Sequence, residues 1–207
     1  MFILGIVLTL FSNIIIFSAN ILLPLFMQAG LGLSASKAGL LLLPGGILNG
    51  IMSMVNGRIF DKYGPRGLVI GGFTISTIAV WFFATVSSAT NAYLIIFFFM
   101  LLMVSMSMVT TPSQTNGINQ LEPDLYPDGT AVVNSMIQTS GAIGTALAIS
   151  ILNVSQQAFL NDASNPSNAA NKAEAPITGV QNAFAFAAVV SIIGFICSLF
   201  IRRIRVD

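Results

Sequence analysis

Ionisable side chains are scarce in this sequence. Aspartate, glutamate, lysine and arginine together make up only 7% of its 207 residues, and histidine is absent. About a quarter of the residues of an ordinary soluble domain are charged, so the composition excludes that class. The sequence also lacks a cysteine pair, a phosphate-binding glycine loop and a nucleophile placed beside a base. These absences argue against a metal site, ATP-driven transport or an enzyme, and no cofactor is expected.

The chain contains a single cysteine, Cys197, so an intrachain disulfide is excluded. This cysteine lies in the last apolar stretch, where a packing role is the simpler interpretation. The formal net charge is +1, and basic residues cluster only near the C-terminal end. A nucleic-acid partner is therefore not expected, because binding to phosphates requires a basic surface.

Apolar residues are abundant instead, at 55% of the chain. They fall into stretches of about 20 residues, the length that crosses the hydrocarbon core of a lipid bilayer. Only helices satisfy the backbone polar groups of such single segments in lipid. The sequence therefore predicts an all-α membrane protein, with one domain over residues 1–207 that forms a bundle of six transmembrane helices. The predicted spans cover residues about 3–27, 38–55, 68–86, 92–111, 130–154 and 182–201.

The connections between these spans are short, with two exceptions. Residues 112–129 form one long connection, and residues 155–181, rich in Asn, Ala and Ser, predict a mobile loop. Among the short connections, Ser34 and Asn91 are suited to cap the second and fourth helices.

The eight Lys and Arg residues predict the orientation, because basic loops stay on the cytoplasmic side of a membrane. Two of them, Lys37 and Lys172, fall on one side of a six-span protein. The other six fall on the opposite side, namely Arg58, Lys62, Arg66, Arg202, Arg203 and Arg205. We therefore expect a multi-pass protein of the cell membrane with both termini in the cytoplasm.

A short motif follows the second span, where residues 57–66 read GRIFDKYGPR. It resembles the cytoplasmic signature between the second and third helices of each half of the major facilitator superfamily. Further similarity lies in residues 22–28, 32–34, 38–46 and 141–146. Together these stretches resemble the C-terminal half of the fourteen-span drug:proton antiporters, a branch of multidrug efflux proteins. One departure is Ile137 before Gln138, where relatives often carry an arginine.

The resemblance implies one half of a major facilitator fold, in which the first and fourth helices of each half line a cavity. In span one, Asn13, Phe17 and Asn20 share a helical face, and amides are costly toward lipid. In span four, Met100, Met103, Ser107 and Thr110 recur at helical spacing, and methionine suits varied apolar ligands. These seven residues are the candidate cavity lining. The alternatives are structural hydrogen bonds between helices for the amides and ordinary packing for the methionines.

The resemblance also implies that the second and fifth helices meet the other half of the transporter. The fifth span carries a stripe of small residues that permits close helix approach, namely Ser140, Gly141, Gly144 and Ala148. The signature motif is expected to act as a conformational latch, formed by Gly57, Arg58, Asp61, Lys62, Gly64 and Arg66. Asp61 is expected to lie near the start of the fifth helix, about residues 129–130, where the helix dipole favours a carboxylate.

These observations predict part of a secondary-active transporter that exports small amphipathic compounds or drugs. No Asp, Glu, His, Lys or Arg lies inside any predicted span, although a proton relay normally needs one. Proton antiport would therefore use residues of a missing N-terminal half. Two alternatives stay open: a free-standing half that pairs with a second copy, and a nontransporting membrane scaffold or truncated remnant. The expected partners are a small-molecule substrate, the lipid bilayer, and the missing half or a second copy.

Overall fold

The computed structural model describes residues 2–162 and 168–201, which form six long α-helices and one short 3₁₀ turn, Pro123–Leu125. All six helices are long and apolar enough to cross a membrane. The prediction of an all-α bundle with six spans is therefore confirmed. In chain order the helices are α1 (Phe2–Ala29), α2 (Ala35–Tyr63), α3 (Pro65–Phe83), α4 (Ala92–Ile118), α5 (Tyr126–Asp162) and α6 (Ala169–Ser198).

Side-chain caps fix the starts of two helices. The Ser34 hydroxyl accepts a hydrogen bond from the backbone N–H of Lys37 at 3.4 Å, and Asn91 Oδ1 accepts one from Tyr93 at 2.9 Å. Each cap satisfies an N–H group that has no partner within its helix. Both predicted caps are confirmed.

Five of the six helices are longer than the predicted apolar stretches, α3 being the exception, and both predicted long loops are wrong in extent. Helix α4 continues to Ile118 and α5 begins at Tyr126, so the connection after α4 is short. The segment 155–181 is helical in α5 up to Asp162 and in α6 from Ala169. Low hydropathy ends a membrane span but does not end a helix, since alanine and glutamine are good helix formers.

The six helices pack in a pattern that repeats within the chain. Helix α1 contacts α4, α5 and α6, while α4 contacts α1, α2 and α3. Exchanging α1 with α4, α2 with α5 and α3 with α6 turns one set of contacts into the other, although α5 and α6 pack closely whereas α2 and α3 barely touch. This internal correspondence is typical of transporters built from repeated units. The core between these helices contains large buried side chains, among them Phe26, Phe73, Phe83 and Phe184.

Helix α2 is the least buried of the six helices. One of its sides carries a row of exposed apolar residues at spacings of three and four, namely Leu40, Leu43, Ile47, Ile51 and Met54. Exposed apolar rows of this length mark contact with lipid or with another protein. We call this row the α2 stripe.

The end of α5 and the start of α6 extend beyond the connection between α3 and α4. Gln181 Nε2 donates a hydrogen bond of 2.6 Å to the carbonyl oxygen of Val86, which follows the end of α3. Residue 181 of α6 therefore lies level with the connection between α3 and α4, and the earlier turns of α6 lie outside that level. There Gly179 packs tightly on α5, since a Cβ on it would lie 2.7 Å from the carbonyl oxygen of Leu152. The two helices thus form a projecting pair.

Candidate functional site

The connection between α2 and α3 is a single residue, Gly64. Its φ of +82° lies in the region that favours glycine, and its N–H donates to the carbonyl oxygen of Phe60 at 2.7 Å. Pro65 then begins α3 directly, which suits the first turn of a helix because proline has no N–H to satisfy. The glycine-proline pair of the signature motif thus reverses the chain within one residue.

The rest of the signature motif is helical, since residues 57–63 form the last turns of α2. Gly57 therefore does not serve a turn, and a Cβ there would meet nothing within 4 Å. Lys62 Nζ lies 5.2 Å from the centroid of the Tyr63 ring. The charged side chains of the motif are exposed at this end of the bundle, namely Arg58, Asp61, Lys62 and Arg66.

Asp61 does not lie beside the start of α5 in this chain. No Cα atom of α2 comes within 8 Å of a Cα atom of α5 among the described residues. Helix α5 packs instead on α1 and α6, on the far side of the bundle from α2. The expected neighbourhood of Asp61 and residues 129–130 is therefore wrong within this chain.

The polar face of α1 divides into a buried and an exposed part. Asn13 is only 6% exposed, and its Nδ2 donates to the carbonyl oxygen of Thr9 at 2.8 Å. Phe17 is 37% exposed, and Asn20 is exposed three residues further on. Of the three residues expected in the cavity, Phe17 and Asn20 are accessible on the surface of this bundle.

The residues of α4 divide in the same way. Met103 is 3% exposed and Ser107 is 2% exposed, so both lie inside the contact between α4 and α2. Met100 and Thr110 are half-buried. The Thr110 hydroxyl lies 3.3 Å from the hydroxyl of Ser12, a distance that joins α4 to α1.

Two asparagines of α2 that the sequence analysis did not single out hold α4. Asn49 Nδ2 donates to the carbonyl oxygen of Met103 at 2.7 Å, and Asn56 Nδ2 donates to the hydroxyl of Ser107 at 2.8 Å. Amides buried among membrane helices typically stabilise helix pairs in this way. Asn49 and Asn56 lie seven residues apart, about two helical turns, so both fall on one face of an apolar helix; these two amides are the signal that could have found them.

The small-residue stripe of α5 faces α1 of the same bundle. A Cβ on Gly144 would lie 2.8 Å from Ile14 Cα, and one on Gly141 would lie 2.9 Å from the Phe17 ring. The hydroxyl of Ser18 donates to the carbonyl oxygen of Gly144 at 3.1 Å. Ser140 and Ala148 are also buried. This stripe is therefore covered within the chain, contrary to the expected contact with the other half, because α1 takes the close approach that the small residues permit.

Ionisable groups avoid the middle of the bundle. Throughout residues 2–162 and 168–201 they lie in connections or within about two turns of a helix end, as Lys37, Arg58, Asp61, Asp128, Asp162, Lys172 and Glu174 illustrate. The same part of the chain contains no group of three or more His, Cys, Asp or Glu that could hold a metal ion. The accessible polar groups at mid-bundle are thus neutral amides and hydroxyls.

Comparisons with known proteins agree with this architecture. The family model described as the Major Facilitator Superfamily matches residues 1–148. The lincomycin resistance protein LmrB of Bacillus subtilis (strain 168) is 49% identical over 207 residues, which is 100% of this chain and 43% of that protein. LmrB of Listeria monocytogenes (strain ATCC BAA-679 / EGD-e) is 49% identical over 206 residues, with 99% of this chain and 43% of that protein covered.

A more distant relative is the uncharacterized MFS-type transporter YcnB of Bacillus subtilis (strain 168), which is 36% identical over 182 residues. The match covers 88% of this chain and 37% of YcnB. The chain thus spans less than half the length of the curated relatives it matches. The family match over most of the chain, together with six spans and these relatives, shows that the chain belongs to the major facilitator superfamily of multi-pass membrane transporters, which are not enzymes.

Proposed function

We propose that this chain is the C-terminal half of a drug exporter that works by alternating access between two helical bundles. The observation that carries the proposal is the 49% identity to a lincomycin resistance protein along the whole of this chain. The match covers only 43% of that longer protein. The exposed α2 stripe supports it, because a second bundle would cover these apolar side chains. The substrates would be small amphipathic compounds.

We place the substrate path of this half on the accessible residues of α1 and α4. Phe17 and Asn20 offer an aromatic ring and an amide, while Met100 and Thr110 offer a thioether and a hydroxyl. An apolar surface with a few neutral polar groups suits amphipathic ligands of varied shape. Asn13, Met103 and Ser107 would act behind this surface by holding the helices in position.

Proton coupling would use a carboxylate of the other half. The ionisable groups of the described residues lie near helix ends or in connections, whereas a proton relay requires a titratable group inside the membrane. Helices α1 and α4 of this half would supply neutral binding surface, and the other half would supply the charge that couples export to the proton gradient.

The transport assay compares this chain alone with a complete transporter. In proteoliposomes, the chain alone is expected to show no accumulation of a fluorescent drug driven by a pH gradient, because residues 2–162 and 168–201 place no titratable group at mid-membrane. A chimera in which this chain replaces the matched part of Bacillus subtilis LmrB is expected to accumulate the drug. An inactive chimera that is folded and inserted would contradict the proposal.

A second candidate is a homodimer of this half, which the exposed α2 stripe favours. The same assay separates the two functions. Gradient-driven uptake by the chain alone would establish the homodimer and overturn the assignment as one half of a larger exporter. If the chain alone and the chimera both insert stably but neither takes up the drug, the remaining function is that of a nontransporting membrane scaffold.

We also propose that the protein lies in the cell membrane with both termini in the cytoplasm. Lys62 is exposed at the end of α2 and Lys172 is exposed near the start of α6, at opposite ends of the bundle. Arg202, Arg203 and Arg205, which contribute to the sequence-based orientation, lie outside the described residues. The basic residues near the end of α2 favour the cytoplasm there.

Cysteine labelling tests this orientation in a background carrying Cys197→Ser. Lys172→Cys is expected to react with a membrane-impermeant thiol reagent in intact cells. Lys62→Cys is expected to react only after the cells are permeabilised. Labelling of Lys62→Cys in intact cells would reverse the assigned orientation.

A further inference from the structure

A crevice of about 180 Å³ opens on the outer surface of the bundle between α3 and α6. Among the residues that the structure describes, those that line it are Thr74, Thr77, Ile78, Ile192 and Phe195. Thr74, Ile78 and Ile192 are exposed, so the crevice is accessible from outside the bundle. It lies beside the middle turns of α3 and the last turns of α6, two membrane-spanning helices that are surrounded there by lipid.

The hydroxyl groups of the crevice are satisfied inside the helices. Thr74 Oγ1 donates to the carbonyl oxygen of Ile70 at 2.9 Å, and Thr77 Oγ1 donates to that of Phe73 at 2.8 Å. Thr77 Oγ1 also lies 2.8 Å from the hydroxyl of Ser191. The walls therefore present methyl groups, aliphatic chains and a phenyl ring, which offer little to a polar ligand. A closed apolar cavity of about 150 Å³ is known to accept a molecule as large as benzene.

A positive charge lies at the start of α3, on the helical face that carries Thr77 of the crevice wall. Arg66 is exposed in the first turn of α3, and Thr77 follows it by roughly three helical turns. At 100° per residue Thr77 lies about 20° around the helix from Arg66, while the exposed crevice residues Thr74 and Ile78 lie about 80° and 120° from it. The separation of Arg66 and Thr77 along the axis is about 16 Å, which an acyl chain attached to a phospholipid headgroup can span.

We propose that an anionic phospholipid binds this surface, with its phosphate beside Arg66 and one acyl chain in the crevice between α3 and α6. An anionic phospholipid needs an apolar slot for its acyl chain and a cation for its phosphate. The crevice opens to the bilayer, and the Arg66 guanidinium lies at headgroup level, where its N–H groups can donate to a phosphate. The site is separate from the proposed substrate path on α1 and α4. It therefore does not depend on the proposed transport function.

The single tryptophan of the chain provides the readout. Trp81 lies on α3 one turn beyond Ile78 and is 62% exposed. The full chain is placed in vesicles of phosphatidylcholine that contain a small fraction of phosphatidylglycerol brominated in its acyl chains. Because bromine quenches nearby indole fluorescence, specific binding is expected to quench Trp81 more strongly than brominated phosphatidylcholine at the same fraction. One arginine near the surface implies a preference of about fivefold.

Three variants locate the site. Arg66→Gln is expected to reduce the preference to about one. Thr74→Phe and Ile192→Phe fill the crevice from opposite walls and are each expected to lower quenching by the anionic lipid. The matched control is Ile193→Phe, which enlarges an exposed apolar residue of α6 outside the crevice and should behave as wild type.

Far-ultraviolet circular dichroism confirms that each variant is folded before its quenching is compared. Equal quenching of the wild-type chain by the two brominated lipids would overturn the proposal. An anionic preference that survives both folded filling variants would assign the effect to surface charge alone and would overturn it as well.

Discussion

Replacing Gly144 with alanine is expected to lower the unfolding free energy of the bundle by about 1–3 kcal/mol, the usual cost of overpacking a tight contact. The added Cβ would lie 2.8 Å from Ile14 Cα and 2.9 Å from Ile14 O. Both are backbone atoms, so α1 and α5 must move apart along their contact. That movement also strains the hydrogen bond from Ser18 to the carbonyl oxygen of Gly144. The measurement is a reversible unfolding titration in mixed micelles.

The matched control for this substitution is Gly50→Ala in α2. A Cβ on Gly50 would meet nothing within 4 Å, and the residue is exposed in mid-helix. Both changes replace glycine by a better helix former, worth up to about 1 kcal/mol, so their difference isolates the contact with Ile14. Equal stability of the two variants would show that α1 and α5 do not approach as closely as described.

Replacing Asp61 with asparagine in a complete transporter that contains this half is expected to reduce transport severalfold to tens of fold, with expression and drug binding largely intact. We propose that the Asp61 carboxylate meets a helix start of the other half when the cytoplasmic side closes. Such a contact is worth roughly 0.3–2 kcal/mol. This energy is too small to decide folding but large enough to shift an equilibrium between two conformations.

Two measurements test this latch. Transport is compared with drug binding, and the accessibility of cytoplasmic cysteines to a thiol reagent is expected to rise in the variant. Asp124→Asn is the control, since it removes an exposed carboxylate from the 3₁₀ turn. Normal transport with unchanged accessibility would refute the latch, and loss of drug binding would move Asp61 into the substrate site.

Hydropathy and local chemistry determine much of this fold before any tertiary contact is known. The six spans follow from apolar length, and the caps at Ser34 and Asn91 follow from side chains that accept from nearby N–H groups. The helix ends outside the apolar spans were harder to predict, because residues 155–181 are rich in Asn, Ala and Ser and contain two prolines, a composition typical of a loop. In the structure α6 packs on α5 in this region, through Gly179 and Leu152.

The small-residue stripe shows what sequence leaves open in the candidate site. Ser140, Gly141, Gly144 and Ala148 indicate close approach by a helix, but any helix with a suitable surface satisfies that indication. The structure selects α1, whose Ile14 and Phe17 fit against the two glycines. The family resemblance indicates which helices meet the other half of a transporter. It does not tell which neighbouring helix covers a given face of α5, because that depends on how all six helices pack.

The asparagines show the opposite case, in which a usable signal was present. Asn49 and Asn56 are polar residues inside an apolar span, as Asn13 and Asn20 are, and they bind α4. Sequence alone does not separate a buried amide such as Asn13 from an exposed one such as Asn20, since both lie on the same face of α1. Packing of the bundle separates them, since Asn13 is buried and Asn20 is exposed once the helices have assembled.

The projecting ends of α5 and α6 have a practical consequence for imaging this protein. Helix α5 has 37 residues and is therefore about 55 Å long, against a hydrocarbon core of about 30 Å. A small transporter hidden in a detergent belt offers electron microscopy few landmarks for aligning particles. An antibody fragment bound to the outer turns of this helix pair would stand clear of the belt, and the continuous helices beneath it would transmit its orientation to the bundle.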